Sequence, residues 1–445
     1  MTEIFSGIYG RGAVQGELSD AAFIRAMLDV EVALATALER HGLAHVEAVA
    51  EIRDACRDAG AFDAGAIGRA GASSGTPVPA LLAAVRERLG EPAAATLHRG
   101  ATSQDIVDSA LMLVARRSLA PLLSDLANAA ASCAALARAH RKTVAAGRTL
   151  LQQAPPVTFA LKAATWLRGL DLARTQLEGL RADGLPVQLG GAVGTLAVLG
   201  DAGLAVASTL AEELGLAAPP LPWHTVRVPP ARLACALGEA LGVMAKISRD
   251  LTLLAQTEVA EAAEAAAAGR GGSSTLPHKR NPVGAVAVLA CAQRGPGLVA
   301  TILSAMAQEH ERAAGAWQGE WGALLELLGL AGSAASSLAE TLPMLEVDSA
   351  RMRDNLDPLV MAESVVAALG GGTGARRLLA EAARTSASEG RPLGDLLLES
   401  ADVRDRLGPD GVEKALDPAR YLGVADQLVD RALAEHEGVL SPGRR

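Results

Sequence analysis

The run TSQDIVDSALMLVARRSLAPLLSDLANAAASCAALARAH, residues Thr102–His140, contains no glycine and a single proline, Pro121. Alanine and leucine dominate it, and both favour helix. The reading is one helix of about 38 residues, roughly 57 Å long at 1.5 Å per residue, against a usual mean near 11–12 residues. Thr102 and Asp105 have the spacing of a capping box, which places the start of the helix. A rod of this length could hardly be covered by one chain, so self-association is expected.

The pattern repeats outward from this segment. Leu233, Leu237, Leu241, Met244, Ile247, Leu251, Leu254 and Glu258 recur at three- and four-residue steps. That predicts one mainly apolar face on a helix from about Pro230 to Ala268. A third helix is predicted from Pro282 to about Arg312, kinked at Gly295-Pro296, and a fourth from about Gly322 to Glu340. Ser19 opens an earlier helix that runs to about Arg40 and ends at Gly42. After Pro343 short helices are separated by Gly370-Gly371-Gly372, Gly390-Arg391-Pro392 and Gly408-Pro409. The expected fold class is all-α, an extended long-helix bundle. The expected division is residues 1–101, 102–345 and 346–445.

Composition agrees. Half of the 445 residues are apolar and only 2% are aromatic, which favours helices over sheets. The net charge of −9 and the lack of basic runs give no sign of nucleic-acid binding. An acidic chain would need local cations to hold an anionic substrate. Cys56, Cys133, Cys235 and Cys291 show no metal-ligand spacing and are expected as buried free thiols in a reducing compartment. No signal peptide and no run of about 20 uninterrupted apolar residues is visible, so no membrane span is predicted and a cytoplasmic location is expected.

Three polar islands interrupt the alanine–leucine background. The first is His98-Arg99-Gly100-Ala101-Thr102-Ser103-Gln104-Asp105, where hydroxyls and free N–H groups at a helix start could hold a carboxylate. The second is Gly147-Arg148-Thr149-Leu150-Leu151-Gln152-Gln153-Ala154-Pro155-Pro156, a surface turn or a rigid wall facing a ligand. The third is Gly271-Gly272-Ser273-Ser274-Thr275-Leu276-Pro277-His278-Lys279-Arg280-Asn281-Pro282. Here Asn281 can cap the following helix and Pro282 suits its first turn. Lys279 adds a full positive charge, and Ser273 and Ser274 sit where a hydroxyl could exchange a proton.

The third island closely resembles the signature of the fumarase/aspartase superfamily, G-S-S-x-M-P-x-K-x-N-P, with Leu276 in place of the usual Met. The three islands together resemble that family's three separated segments, over essentially the whole chain. The resemblance implies three mostly helical domains and a homotetramer with a twenty-helix core, in which the segments of three subunits meet at one active site. Within the family, the likeness is to the carboxymuconate-cycloisomerase branch. It is carried by His98–Asp105, Leu185–Ala197, Pro222–Arg227, His310-Glu311-Arg312, Gly315–Trp321 and Leu416–Gly423. Fumarases and adenylosuccinate lyases carry a proton-transferring histidine where this chain has Leu150, and a leucine cannot move a proton. Val228, Pro229 and Gln318 depart from the branch and leave the exact substrate open.

The resemblance implies a reversible lactonisation of a small tricarboxylate, with Ser273 as the proton-transferring residue. Lys279 would serve as the cation, and His278 as an alternative acid–base group. The implied substrate-binding set is His98, Thr102, Ser103, Gln104, Arg148, Gln153, Ser274, Asn281 and Arg312, with His310 a further candidate. No cofactor and no metal is expected, since H-E-x-x-H and P-loop motifs are absent. Two alternatives stand beside this reading. One is a related lyase that releases fumarate from a succinyl di-carboxylate. The other is a helical scaffold without catalysis.

Overall fold

The computed structural model describes residues 3–265, 271–272, 276 and 279–440. Helices dominate the chain, as expected. It divides into two compact units. One comprises residues 1–127, 172–248 and 284–339, and the other residues 128–171, 249–283 and 340–445.

In the first unit, α1 (Asp20–Arg40) is capped by Ser19, whose hydroxyl accepts the Ala22 N–H at 3.2 Å. Its end is closed by Gly42 in the left-handed conformation, φ 70°. The predicted long helix is α2 (Ser103–Ala139), which matches the expected ends to within a residue. The apolar face of α3 (Val228–Leu254) forms as read, with Leu233, Leu237, Leu241, Met244 and Ile247 all buried. Each such side chain contributes about 1.5–3 kcal/mol. The helix stops at Leu254, however, short of the expected end. The chain turns through Ala260 at φ 52°, and β3 (Ala262–Glu264) pairs antiparallel with β4 (Leu345–Val347). Those long-range hydrogen bonds override a local alanine-rich preference for helix.

The third predicted helix, α4 (Val283–Ser304), also ends earlier than Arg312. It runs through Pro296, and Gly295 has a packing role. A Cβ there would lie 2.7 Å from Leu241 Cδ1 and 3.8 Å from Leu327 Cδ1. Gly238 does the same from the other side, against Val299 Cγ2 at 2.9 Å. The missing side chains let α4 approach both α3 and α5 (Ala316–Thr341). The helices α2 and α4, and the stretch 316–344 containing α5, are each long and apolar enough by length and composition to cross a membrane. Interspersed polar and charged residues keep each of these stretches from being an uninterrupted apolar run. The apolar window of 316–344 is 78% buried inside the fold, but that of α4 is only 28% buried. The chain by itself leaves much of α4 uncovered.

The second unit contains a hairpin that the sequence reading did not anticipate. β1 (Val144–Thr149) pairs with β2 (Gln152–Thr158), with a register shift between Ala146 and Gly147. The two-residue turn is Leu150-Leu151, both in the left-handed region and both exposed. A separate small core in the C-terminal part gathers Val365, Leu369, Leu379, Leu393, Leu397 and Val403. Buried polar groups are paired here too, as with Asp171 and His436 at 3.0 Å.

Three thiols are buried as expected, and Cys235 on α3 is exposed, against expectation. Burial pushes Cys56 up to about 12 and Cys291 to about 11, and raises Cys133 further.

Substituting Gly295→Val should lower stability by about 1–3 kcal/mol through overpacking against Leu241. Urea denaturation measures this, and an unchanged midpoint would mean that α4 and α3 do not approach so closely.

Candidate active site

The first island lies in the first unit, and its centre is Asp105. One carboxylate oxygen accepts the Thr102 N–H at 3.0 Å, which completes half of the expected capping box. The same oxygen accepts the Gly191 N–H at 2.9 Å, and the other accepts Gly190 N–H at 3.0 Å. His224 Nε2 lies 2.7 Å from it. Asp105 therefore ties the start of α2 to the glycine loop at 190–191 and to the segment before α3. A capping box alone would have needed none of that.

One turn further on, Asp108 is buried and accepts both Nη groups of Arg227 at 2.8 and 2.9 Å. It also accepts Trp317 Nε1 at 3.0 Å, Gln104 Nε2 at 3.1 Å and Gln188 Nε2 at 3.2 Å. Arg227 is itself 1% exposed, and turns its Nε and Nη2 to Glu320. Its guanidinium stacks 4.7 Å from the Trp223 ring. Burial works against the Arg227 charge, but Asp108 and Glu320 outweigh it, so the group is firmly cationic. Burial raises the Glu320 carboxyl above its ordinary value, against the lowering pull of Arg227 and Gln308. One cation between two carboxylates leaves this network acidic.

Of the expected binding residues, Gln104 is buried. Its amide is held by Asp108, by the His224 carbonyl at 2.8 Å, and by Arg312. Arg312 reaches the Ala192 carbonyl at 2.7 Å and so clamps the glycine loop. Thr102 and Ser103 are half-buried at the helix start, and their hydroxyls make no hydrogen bond among the described residues. His98 pairs with Glu31 at 2.7 Å. His310 is exposed, and its carbonyl accepts the Thr225 hydroxyl at 3.0 Å.

The second island lies in the second unit, on the hairpin. Arg148 makes a bidentate pair with the buried Glu261, with Nη1 at 2.9 Å, and Asn355 Nδ2 binds the same carboxylate at 2.9 Å. Gln153 donates to the Asn355 carbonyl at 2.7 Å and accepts the Asp357 N–H at 3.0 Å. Arg148 thus has its charge matched within the protein. Gly147 fits the bulge because a Cβ there would lie 2.4 Å from the Pro155 carbonyl oxygen.

In the third island Ser273, Ser274 and His278 lie outside the described residues. Lys279 is exposed and Asn281 half-buried. The loop closes on itself where the Asn281 N–H donates to the Gly271 carbonyl at 2.9 Å. Gly271 has φ 69°, and a Cβ on it would meet the Asn281 carbonyl oxygen at 2.7 Å. Among the described residues no group of three or more His, Cys, Asp or Glu could hold a metal ion.

Sequence reasoning missed Glu31, Asp108, His224, Arg227, Glu261 and Glu320 as members of these arrangements. The available signal was charge on faces that the helical period assigns to the core, as with Asp105 and Asp108 in the first two turns of α2.

A lyase family model matches residues 10–297, and a model of the adenylosuccinate lyase C-terminus matches residues 358–432. The chain belongs to this lyase family. It is 44% identical to a 3-carboxy-cis,cis-muconate cycloisomerase of Pseudomonas aeruginosa, over 98% of this chain and 97% of the relative. It is also 42% identical to a nitrosuccinate lyase of Streptomyces davaonensis, over 94% of this chain and 92% of the relative. The crystal structure of a 3-carboxy-cis,cis-muconate lactonizing enzyme from Pseudomonas putida superimposes with a TM-score of 0.94 at 40% identity, covering 99% of this chain and all of that one. The resemblance read from the three islands and the all-α fold class is borne out.

Substituting Arg227→Met should cost about 3–5 kcal/mol, because Asp108 and Glu320 would remain buried without their cation. Guanidinium denaturation measures the loss; a change below about 1 kcal/mol would mean that water reaches both carboxylates.

Proposed function

We propose that this chain lactonises 3-carboxy-cis,cis-muconate reversibly to a carboxymuconolactone. The observation that carries the reading is the end-to-end likeness to the Pseudomonas aeruginosa cycloisomerase, together with Leu150 at a position where other branches use a histidine.

In the reaction one substrate carboxylate adds across a double bond, and the carbon next to another carboxylate is protonated. Read backwards, a proton leaves a carbon alpha to a carboxylate and a carboxylate departs. The intermediate is an aci-carboxylate with an extra negative charge, which requires preorganised donors. The first island supplies a helix start with two half-buried hydroxyls, at Thr102 and Ser103. Lys279 supplies an exposed cation. Ser273 is the proposed proton-transferring group by family resemblance, activated by neighbouring cations and amides. His278 is the alternative. Gln104 and Arg312 act in this reading by holding the glycine loop, and Arg148 and Gln153 by fixing the hairpin and residues 355–357. Ser274 and Asn281 are proposed to touch the substrate.

The assembly is proposed to be a homotetramer with composite active sites. The uncovered apolar face of α4 and the exposed Leu150-Leu151 tip support it, since a single chain buries neither. The division into residues 1–101, 102–345 and 346–445 and a cytoplasmic location belong to the same proposal.

A second reading has its own support. The likeness to the nitrosuccinate lyase is nearly as high, so elimination from a succinyl dicarboxylate is the alternative chemistry. Both pass through negative charge on a carbon alpha to a carboxylate.

Purified protein should abolish the ultraviolet absorbance of 3-carboxy-cis,cis-muconate, because lactonisation breaks its conjugated diene. EDTA should leave the rate unchanged. If that absorbance persists while fumarate forms from nitrosuccinate, the second reading replaces the first. Ser273→Ala should lower the turnover number by about 10²–10⁴ with little change in melting temperature. Near-normal turnover in that variant would transfer the role to another group.

A further inference from the structure

His98 is gripped on one side only. Its Nδ1 lies 2.7 Å from Oε1 of Glu31, a carboxylate on the buried face of α1 with 1% exposure. Its Nε2 makes no hydrogen bond among the described residues, and the side chain keeps 16% of its exposure. The backbone at His98 is left-handed, φ 65°, a conformation uncommon for a non-glycine residue. The other oxygen of Glu31 is buried and has no partner among the described residues. A buried carboxylate is costly. A glutamine or a backbone carbonyl would fix the same ring without that cost. What only a carboxylate adds is a negative charge that keeps both ring nitrogens protonated. Thr102 and Ser103, with hydroxyls not bonded among the described residues, lie four and five positions along the chain.

We propose that Glu31 is a positioning residue that presents His98 as an imidazolium, whose Nε2–H binds a carboxylate of the substrate. This rests on the reading of the substrate as a polycarboxylate, and holds for either reaction considered above.

The charged groups acting on His98 are Glu31 on α1, Asp105 on α2, and Arg86. Burial pulls the His98 value down. The hydrogen bond and charge of Glu31, aided by Asp105, outweigh burial and the opposing Arg86, and the value rises above 6.5. A raised folded-state value means that the pair stabilises fully below pH 6.5. That stabilisation fades as the pH rises through the folded-state value.

The test is proton NMR of the His98 ring in the full-length protein, titrated with and without propane-1,2,3-tricarboxylate as the probe. The wild type should titrate above 6.5 and move higher when the probe binds. Glu31→Gln keeps a hydrogen-bond acceptor and removes the charge. It should lower the His98 value, weaken probe binding about 10- to 100-fold, and shift the alkaline limb of kcat/KM to lower pH. Glu31→Asp, which keeps the charge on a shorter arm, should restore part of that profile and controls for misfolding. If Glu31→Gln changes only the melting temperature, or if the probe binds without moving the His98 titration, the proposal falls. Turnover of 3-carboxymuconate by the wild type is a separate measurement. Its failure overturns the proposed reaction while the NMR result still decides the role of Glu31.

Discussion

Arg227 lies between Asp108 and Glu320, all three buried, with every guanidinium nitrogen turned to a carboxylate. Such a group has few alternatives. If any one of the three segments carrying it shifts, a buried charge loses its partner. Asp108 comes from the first turns of α2, Arg227 from just before α3, and Glu320 from the start of α5. Asp105, one turn earlier, extends the same constraint to the glycine loop at 190–191 and to His224. The beginning of α2 is therefore fixed from several directions, and Thr102 and Ser103 sit on a rigid base. Preorganisation of this kind is what a site needs if its donors are not to reorganise as charge develops.

Much of this molecule could be read from local rules. Ser19, Thr102 and Gly42 mark helix ends because capping depends on near neighbours. The face of α3 follows from the spacing of its leucines. Local rules failed where a distant segment competed. Nothing near Ala262 announces that it will pair with Val347. Nothing near Arg148 announces Glu261, so a residue that reads as a free cation is half of an ion pair. Asp108 and Glu320 sit inside helices where a charge is ordinarily assigned to solvent, and only the arginine that reaches them reverses that assignment. Gly295 illustrates a different failure. Beside a proline it suggests a bend, yet its function is to admit Leu241.

The relatives carry a chemical lesson. A 3-carboxy-cis,cis-muconate cycloisomerase and a nitrosuccinate lyase stand at 44% and 42% identity to this one sequence. A scaffold that handles a carbon alpha to a carboxylate can serve both, because the difficult charge is the same. What differs is the group that leaves or adds. In this chain the tip of the hairpin, Leu150 and Leu151, is an exposed apolar surface.

The cysteines carry a practical consequence. Three thiols are held protonated by burial, whereas Cys235 stands exposed on α3, beside Val228, Leu303 and Met306. Only a thiolate reacts readily with alkylating reagents. The folded chain thus offers a single addressable sulfur, placed on an apolar patch between two long helices. A fluorophore or spin label attached there would sense whether that patch is open to solvent or covered by another molecule, and so would make association visible by spectroscopy without engineering a new residue.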